Sequence, residues 1–198
     1  MDCITCKSHA CDEKKTLHCA SELTSQDDIR AEYHKEENAS FAKTASFISM
    51  SPNGKKPRIL EIIDMAHMCG YRKLGLCFCL GLIQEAATVS RIFASNGFTV
   101  VPIVCKTGGI PKDLLGIENG GNAMCNPIGQ AYYLNGQNTE FNIALGLCVG
   151  HDSLFFKYSK APVTVLAAKD KVLGHNPLAC IYTLDNYYKE LLQAPKEE

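Results

Sequence analysis

The 198-residue chain predicts an α/β fold: an open parallel sheet of about four strands, of the flavodoxin or Rossmann kind, with helices on both faces. Three observations predict it. Short continuous apolar runs, as needed by strands buried on both faces, alternate with amphipathic helical stretches from residue 57 onward. Gly70 and Gly97 close two of those helices, since glycine enters the left-handed region that ends a helix at little penalty. Pro102 lies inside one apolar run and cannot donate to a ladder, so its strand belongs at an edge. The order 2-1-3-4 satisfies these constraints. It also places a topological switch point between the first and third strands, where open α/β sheets bind ligands.

In chain order, residues 1–24 form a Cys-rich segment, 25–56 a helical connector and 57–198 the α/β domain. The first segment carries Cys3, Cys6, Cys11 and Cys19 in a C-x2-C-x4-C-x7-C spacing, with His9 and His18 between them. It has almost no apolar residue to pack, and tetrahedral thiolate ligation would order it as a metal knuckle. Zinc suits this set. A second iron–sulfur cluster is the alternative, although the tight C-x2-C-x2-C run of bacterial ferredoxins is absent.

Residues 21–50 read as helical. Ser25 is placed to cap, with Asp27 and Asp28 in the first turn, where the helix dipole favours negative charge. Ile29, Tyr33, Phe41, Ala45 and Ile48 supply a loose apolar face, and the charges of 32–37 a solvated one. In the main domain the pattern predicts a helix over 58–69, a strand over 73–79, a helix over 83–96 and a strand over 98–105. A short helix at Asn126-Pro127 follows, then a strand over 141–148, a helix over 152–158, a strand over 163–168 and a last helix from Asn176-Pro177 to about residue 193.

The formal charge is −1 and Lys and Arg form no stripe, which gives no reason to expect nucleic acid as a partner. No apolar run reaches the roughly 18–20 residues that span a bilayer. The N-terminus has no signal-peptide pattern, so a cytoplasmic location is expected. Eleven cysteines in a reducing compartment point to metal or redox chemistry rather than structural disulfides, and their odd number argues against a closed disulfide framework. The oligomeric state is open.

In a parallel sheet all carboxyl ends share one side. Cys79, Cys105 and Cys148 end the first three apolar runs, and in the order 2-1-3 these ends stand about 4.8 Å apart. Cys125, just before Asn126-Pro127, joins them from a loop, at a helix N-terminus that stabilises a thiolate. Cys77, Cys69 and Cys180 read as buried core thiols. On the same rim stand His151 and Asp152, His175 and Asn176, and Lys106, Lys169 and Asp170. Each histidine is a candidate for proton transfer or ligation; Asp152 and Asn176 equally suit helix caps. Lys106, Lys169, His151, His175 and Asp152 are therefore the candidate catalytic set, beside a pocket for a small-molecule substrate.

Cys79-Leu80-Gly81-Leu82 with Glu85-Ala86, Cys105-Lys106, Cys125-Asn126-Pro127, Gly146 through Asp152, and Lys169-Asp170 through Gly174-His175-Asn176-Pro177 together resemble an uncharacterised prokaryotic family of predicted metal-binding, cysteine-rich proteins. The likeness covers most of the chain and implies metal binding without naming a substrate. Lys171 stands where that family would have an arginine.

Three functions compete. In the first, Cys79, Cys105, Cys125 and Cys148, or three of them, hold a [4Fe-4S] cluster, and the protein is either non-enzymatic or a lyase or desulfurase acting on a small molecule. In the second, the chain handles zinc without catalysis. The third is thiol redox, weakened by the absence of any C-x-x-C beyond Cys3–Cys6.

Overall fold

In the computed structural model, which describes residues 3–7, 25–50, 56–117 and 123–193, four strands form one parallel sheet in the order β2-β1-β3-β4. The strands are β1 (Lys73–Phe78), β2 (Thr99–Val104), β3 (Phe141–Leu145) and β4 (Val163–Ala167). The expected fold class and strand order are both present. β1 pairs with β2 and β3, and β3 with β4, so Pro102 sits on an edge strand opposite Leu76.

Two compact units divide the chain, Met1–Gly54 and Lys55–Glu198. In the first, the expected helical stretch is two helices, α1 (Gln26–His34) and α2 (Glu36–Ser49). Ser25 caps α1 as anticipated, its Oγ accepting from the Asp28 amide at 3.2 Å. Lys35 leaves helical geometry between them, and its Nζ donates to Glu32 at 2.7 Å. The apolar face is looser still than expected, since α1 buries no residue.

In the second unit the helices are α3 (Arg58–Met68), α4 (Ile83–Ser95), α5 (Pro127–Gly136), α6 (His151–Tyr158), α7 (Leu178–Tyr182) and α8 (Leu184–Tyr187). On one face Ala131 and Leu134 of α5 and Phe155 of α6 pack on Cys77 and Ala144 of the sheet. On the other, Ala86, Val89 and Phe93 of α4 are buried, and alternation turns Leu74, Leu76 and Phe78 of β1 to that side. The innermost strands, β1 and β3, are almost wholly buried, whereas β2 and β4 are half-buried.

Three expectations are corrected. The third strand ends at Leu145, not Cys148, because Gly146 turns the chain at φ 64°. The last helix is broken into α7, α8 and a 3₁₀ turn at Lys189–Leu192. Thr183 lies at the first break, its Oγ1 bonding back to the Ala179 carbonyl at 2.7 Å, a contact that bends helices. Cys69 and Cys180 are half-buried rather than core thiols, and only Cys77 of the three is fully enclosed. Among the described residues no helix is long and apolar enough to cross a membrane.

Two polar devices hold the register that positions the rim. Gly75 of β1 lies opposite Asn142 of β3. The fully buried Asn142 amide accepts from Thr139 Oγ1 at 2.8 Å and donates to Ser159 Oγ at 2.9 Å. At the opposite end of the sheet, the Glu140 carboxylate accepts from the amides of Arg72 and Lys73 at 2.7 and 2.8 Å. Those two donors hold its pKa below the usual glutamate value.

Candidate thiol centre

At the carboxyl ends of the strands the chain brings four thiols together. β1 ends at Phe78, and Cys79 follows, its amide still donating to the Leu145 carbonyl of β3 at 3.1 Å. β2 ends at Val104, and Cys105 follows, its amide donating to Phe78 of β1 at 2.9 Å. Each cysteine is thus fixed by the neighbouring strand. Cys125 is fixed through its neighbour, because the Asn126 amide donates to the Cys105 carbonyl at 2.7 Å. Asn126 Oδ1 then caps α5 by accepting from Gly129 at 2.8 Å. Cys148 lies in the turn after Gly146, where its carbonyl accepts the first two amides of α6, from His151 and Asp152.

The four sulfurs sense one another. Cys79 interacts with Cys105, Cys105 with Cys125, and Cys148 feels the charges of both Cys79 and Cys125. Their protonation is correspondingly uneven. Burial would raise the pKa of Cys79, but the Gly81 amide, the Lys169 ammonium and the Cys105 thiol outweigh it, so the net shift is downward. The Lys169 Nζ lies 3.1 Å from Cys79 Sγ. Cys105 is pushed up to about 11 by burial and by the like charges of Cys125 and Cys79, against the Leu80 amide 3.3 Å from its sulfur. Cys148 is also raised, by burial first and then by Cys79 and Cys125, with Lys169 and Lys171 acting in the opposite sense. Like charges crowded together cannot all ionise, and the opposite shifts favour the thiolate at Cys79 over those at Cys105 and Cys148.

The other candidates divide. Lys169 belongs to the centre: its stem packs over Gly146 and its ammonium meets Cys79. Lys106 does not, because its ammonium donates to the Ala123 carbonyl and ties down the loop leading to Cys125. Asp152 Oδ1 accepts the Ser153 amide in the first turn of α6, close to the capping alternative, although Gly150 holds the cap position itself. His151 opens that helix, half-buried, two residues past Val149. His175 is held by its own loop: its Nδ1 accepts the Asp170 amide at 3.0 Å, which leaves the imidazole hydrogen on Nε2. Asn176 makes no side-chain cap on α7. Cys3 and Cys6 are exposed, whereas Cys11 and Cys19 lie outside the described residues. Among the described residues no three His, Cys, Asp or Glu side chains form a group that could hold a single metal ion.

Two contributors were not singled out from the sequence. Lys171 acts on Cys148, although a lysine in a turn carries no signal of its own. Gly81 supplies an amide to Cys79; the glycine directly after a strand-end cysteine was the available clue.

The model of a family described as "Protein of unknown function (DUF1847)" matches residues 6–166, most of the chain and all four rim cysteines. The chain belongs to this family. A relative over nearly the full length, "Uncharacterized protein MJ0455" of Methanocaldococcus jannaschii, is 43% identical across 197 residues, covering 98% of this chain and 99% of its own. The DUF1847 match runs through β1, β2 and β3 and stops within β4 at residue 166, so Lys169, Lys171 and His175 fall beyond it.

Proposed function

We propose that the chain is a metal-binding protein whose Cys79, Cys105, Cys125 and Cys148 hold an iron–sulfur cluster at the carboxyl rim of the sheet. The observation that carries this reading is the meeting of four thiols from four separate segments, each sensing at least one other. The donor set fits the group. Soft thiolates are the ligands such clusters use, and backbone amides directed at sulfur are a known means of tuning them. A single zinc ion would need its sulfurs gathered at about 2.3 Å from one point, a tighter group than the described thiols make. A cluster instead offers each thiolate its own iron.

When bound by only three thiolates, such a cluster would supply an open iron able to act as a Lewis acid. The residues of the chain would do the rest. Lys169 would hold charge beside Cys79, and His151 and His175 would serve proton transfer to a small molecule in the adjoining space. Cys3, Cys6, Cys11 and Cys19 would form a separate zinc-type site. A cytoplasmic setting suits so many thiols.

The test is purification of the full chain without oxygen, followed by its visible spectrum and its content of iron, zinc and acid-labile sulfide. A brown protein with about four irons per chain is the expected result. Cys148→Ser should then bleach the colour, while Cys3→Ser should not. A colourless protein that takes up no iron and sulfide on reconstitution would refute the cluster.

One observation supports a second reading. The lysine-supported thiolate at Cys79, with Cys105 as a neighbour, also suits thiol–disulfide exchange. In that case the same purification gives a metal-free protein, and mild oxidation links Cys79 to another rim cysteine.

A further inference from the structure

The face of the sheet that carries α4 has a groove of its own, beside the edge strand β2. Its volume is about 470 Å³, within the range of small-molecule sites. The groove exists because α4 turns short side chains towards that edge. Ala86, Ala87 and Ala94 leave a gap between the helix and the exposed Pro102 of β2, and the buried Phe78 lines it from β1. From Ile83 to Ala94 the lining follows α4 for about 16 Å of helix axis. Ile83 is half exposed there, an apolar side chain with no cover.

Two polar residues share that lining, Ser90 and Arg91. Elsewhere on α4, Thr88 returns its hydroxyl hydrogen to the Gln84 carbonyl at 3.1 Å, as helical serines and threonines commonly do. Ser90 makes no such bond. Neither its hydroxyl nor the Arg91 guanidinium has a hydrogen bond or ion pair among the described residues. An unpaired surface arginine is ordinary by itself; this one borders a cavity whose lining, Ser90 apart, is otherwise apolar. No Asp or Glu lines the groove. The one acid of α4, Glu85, precedes Ala87 by two positions, which at 3.6 residues per turn puts it on the opposite side of the helix.

We infer that this groove binds a small amphipathic carboxylate, an apolar chain ending in a carboxyl group. The chain lies along the alanines between Ile83, Phe78 and Pro102, where its burial removes apolar surface from water on both sides. The carboxylate meets the guanidinium fork, which can donate two parallel hydrogen bonds to it, and the Ser90 hydroxyl donates a third. A neutral head group gains only part of this, and an ammonium is repelled. The site does not depend on what the thiols hold.

Octanoate tests it, with octanol and octylammonium as its neutral and cationic counterparts, read by the amide chemical shifts of the isotope-labelled full chain. Octanoate should move the amides of Ala87, Ser90, Arg91 and Ala94 along one saturating curve, and octylammonium should bind more weakly. Arg91→Met should weaken octanoate about tenfold, the low end for a hydrogen bond to a charged group, and leave octanol unchanged. Arg91→Lys should recover part of the loss. Ala87→Leu, a good helix former at an exposed position, fills the groove and should abolish binding of octanoate and octanol with circular dichroism unchanged. Equal affinity for octylammonium and octanoate overturns the carboxylate, as does full octanoate affinity in Arg91→Met. Undiminished octanoate binding in Ala87→Leu overturns the groove, as does the absence of saturation by millimolar octanoate. Movement of the same amides on raising the protein concentration alone also overturns it, by showing the groove to be an interface between copies of the chain.

Discussion

Gly75→Ala is the sharpest probe of how the rim is held. A Cβ at residue 75 would stand 2.0 Å from Asn142 Oδ1, 3.0 Å from its Cγ and 2.8 Å from Leu134 Cδ1. These atoms cannot swing away cheaply. Asn142 is fully buried, and both ends of its amide are engaged, with Thr139 and Ser159. Relief needs either a rotation that breaks both bonds or a parting of β1 from β3. Leaving each buried group unmet costs about 1–3 kcal/mol, and overpacking adds about 1–3 kcal/mol. The expected loss is therefore about 3–9 kcal/mol, a large share of the ~5–15 kcal/mol typical of folded domains. Urea unfolding of the full chain, followed by circular dichroism, reads it as a fall in midpoint at constant slope. The cause is isolated by Asn142→Ala, which removes the obstructing amide. Thr139 Oγ1 can then turn its hydrogen to the Leu134 carbonyl and Ser159 keeps its bond to the Ala161 carbonyl, so neither hydroxyl is left unmet in the single variant. In that background Gly75→Ala should cost less than half of what it costs in the wild type. Additivity of the two changes within about 0.5 kcal/mol would show that the clash is not with Asn142 and that the register argument is wrong.

Two further outcomes follow from the titrating groups. Glu140 has a folded pKa below its ordinary value, so its contribution is complete above that ordinary value and is lost as pH falls through the folded one. The stability gap between wild type and Glu140→Gln should be under about 1 kcal/mol at neutral pH, because the carboxylate is largely solvated. It should close in acid, and a gap that persists once the folded Glu140 carboxylate is fully protonated would assign the effect to something other than charge. In the metal-free chain near neutral pH, iodoacetamide should label Cys79 before Cys148 and Cys105, and Cys77 only on unfolding. Peptide mass spectrometry gives the order, and labelling of Cys105 ahead of Cys79 would overturn the assignment of the thiolate.

Much of the fold was legible because each cue was local. Pro102 named its strand as an edge, and the apolar runs ending in Cys79 and Cys105 located two strand ends to within a residue. Cys148 was harder. Its run stays apolar through Leu147, and nothing in Gly146 by itself reveals a left-handed turn. The reason is tertiary: a side chain at Gly146 would come within 2.2 Å of Leu82 Cδ1 and 3.8 Å of the Lys169 stem. The fates of the lysines were equally hidden. Lys106 and Lys169 both follow strand-like segments, yet one serves the Ala123 carbonyl and the other the Cys79 sulfur, a choice made by loops distant in sequence. Cys180 looked like a core residue by type alone. Its helix is short and mostly exposed, and its thiol hydrogen-bonds the Pro177 carbonyl at 3.0 Å.

Cys77 and Cys79 show why the rim, and not the abundance of cysteine, defines the site. They are two residues apart on one segment. Cys77 is enclosed between the sheet and the helices of one face; its pKa is driven upward by burial, and its sulfur donates to the Ile143 carbonyl at 3.4 Å. It can neither ionise nor reach a ligand. Two positions later the ladder has ended, and the turn Leu80–Leu82 presents consecutive amides that no strand claims. The Leu80 amide is directed to Cys105 and the Gly81 amide supports Cys79, so one turn serves sulfurs from two strands. Successive backbone N–H groups of this kind form a concavity for negative charge. A parallel sheet generates such turns at its carboxyl ends because every strand must stop there and reverse into a helix. The placement of the thiols thus follows from topology, and their stabilisation from amides released where the ladder ends. A chain with the same eleven cysteines but antiparallel strands would scatter its strand ends over both edges and bring no such set together.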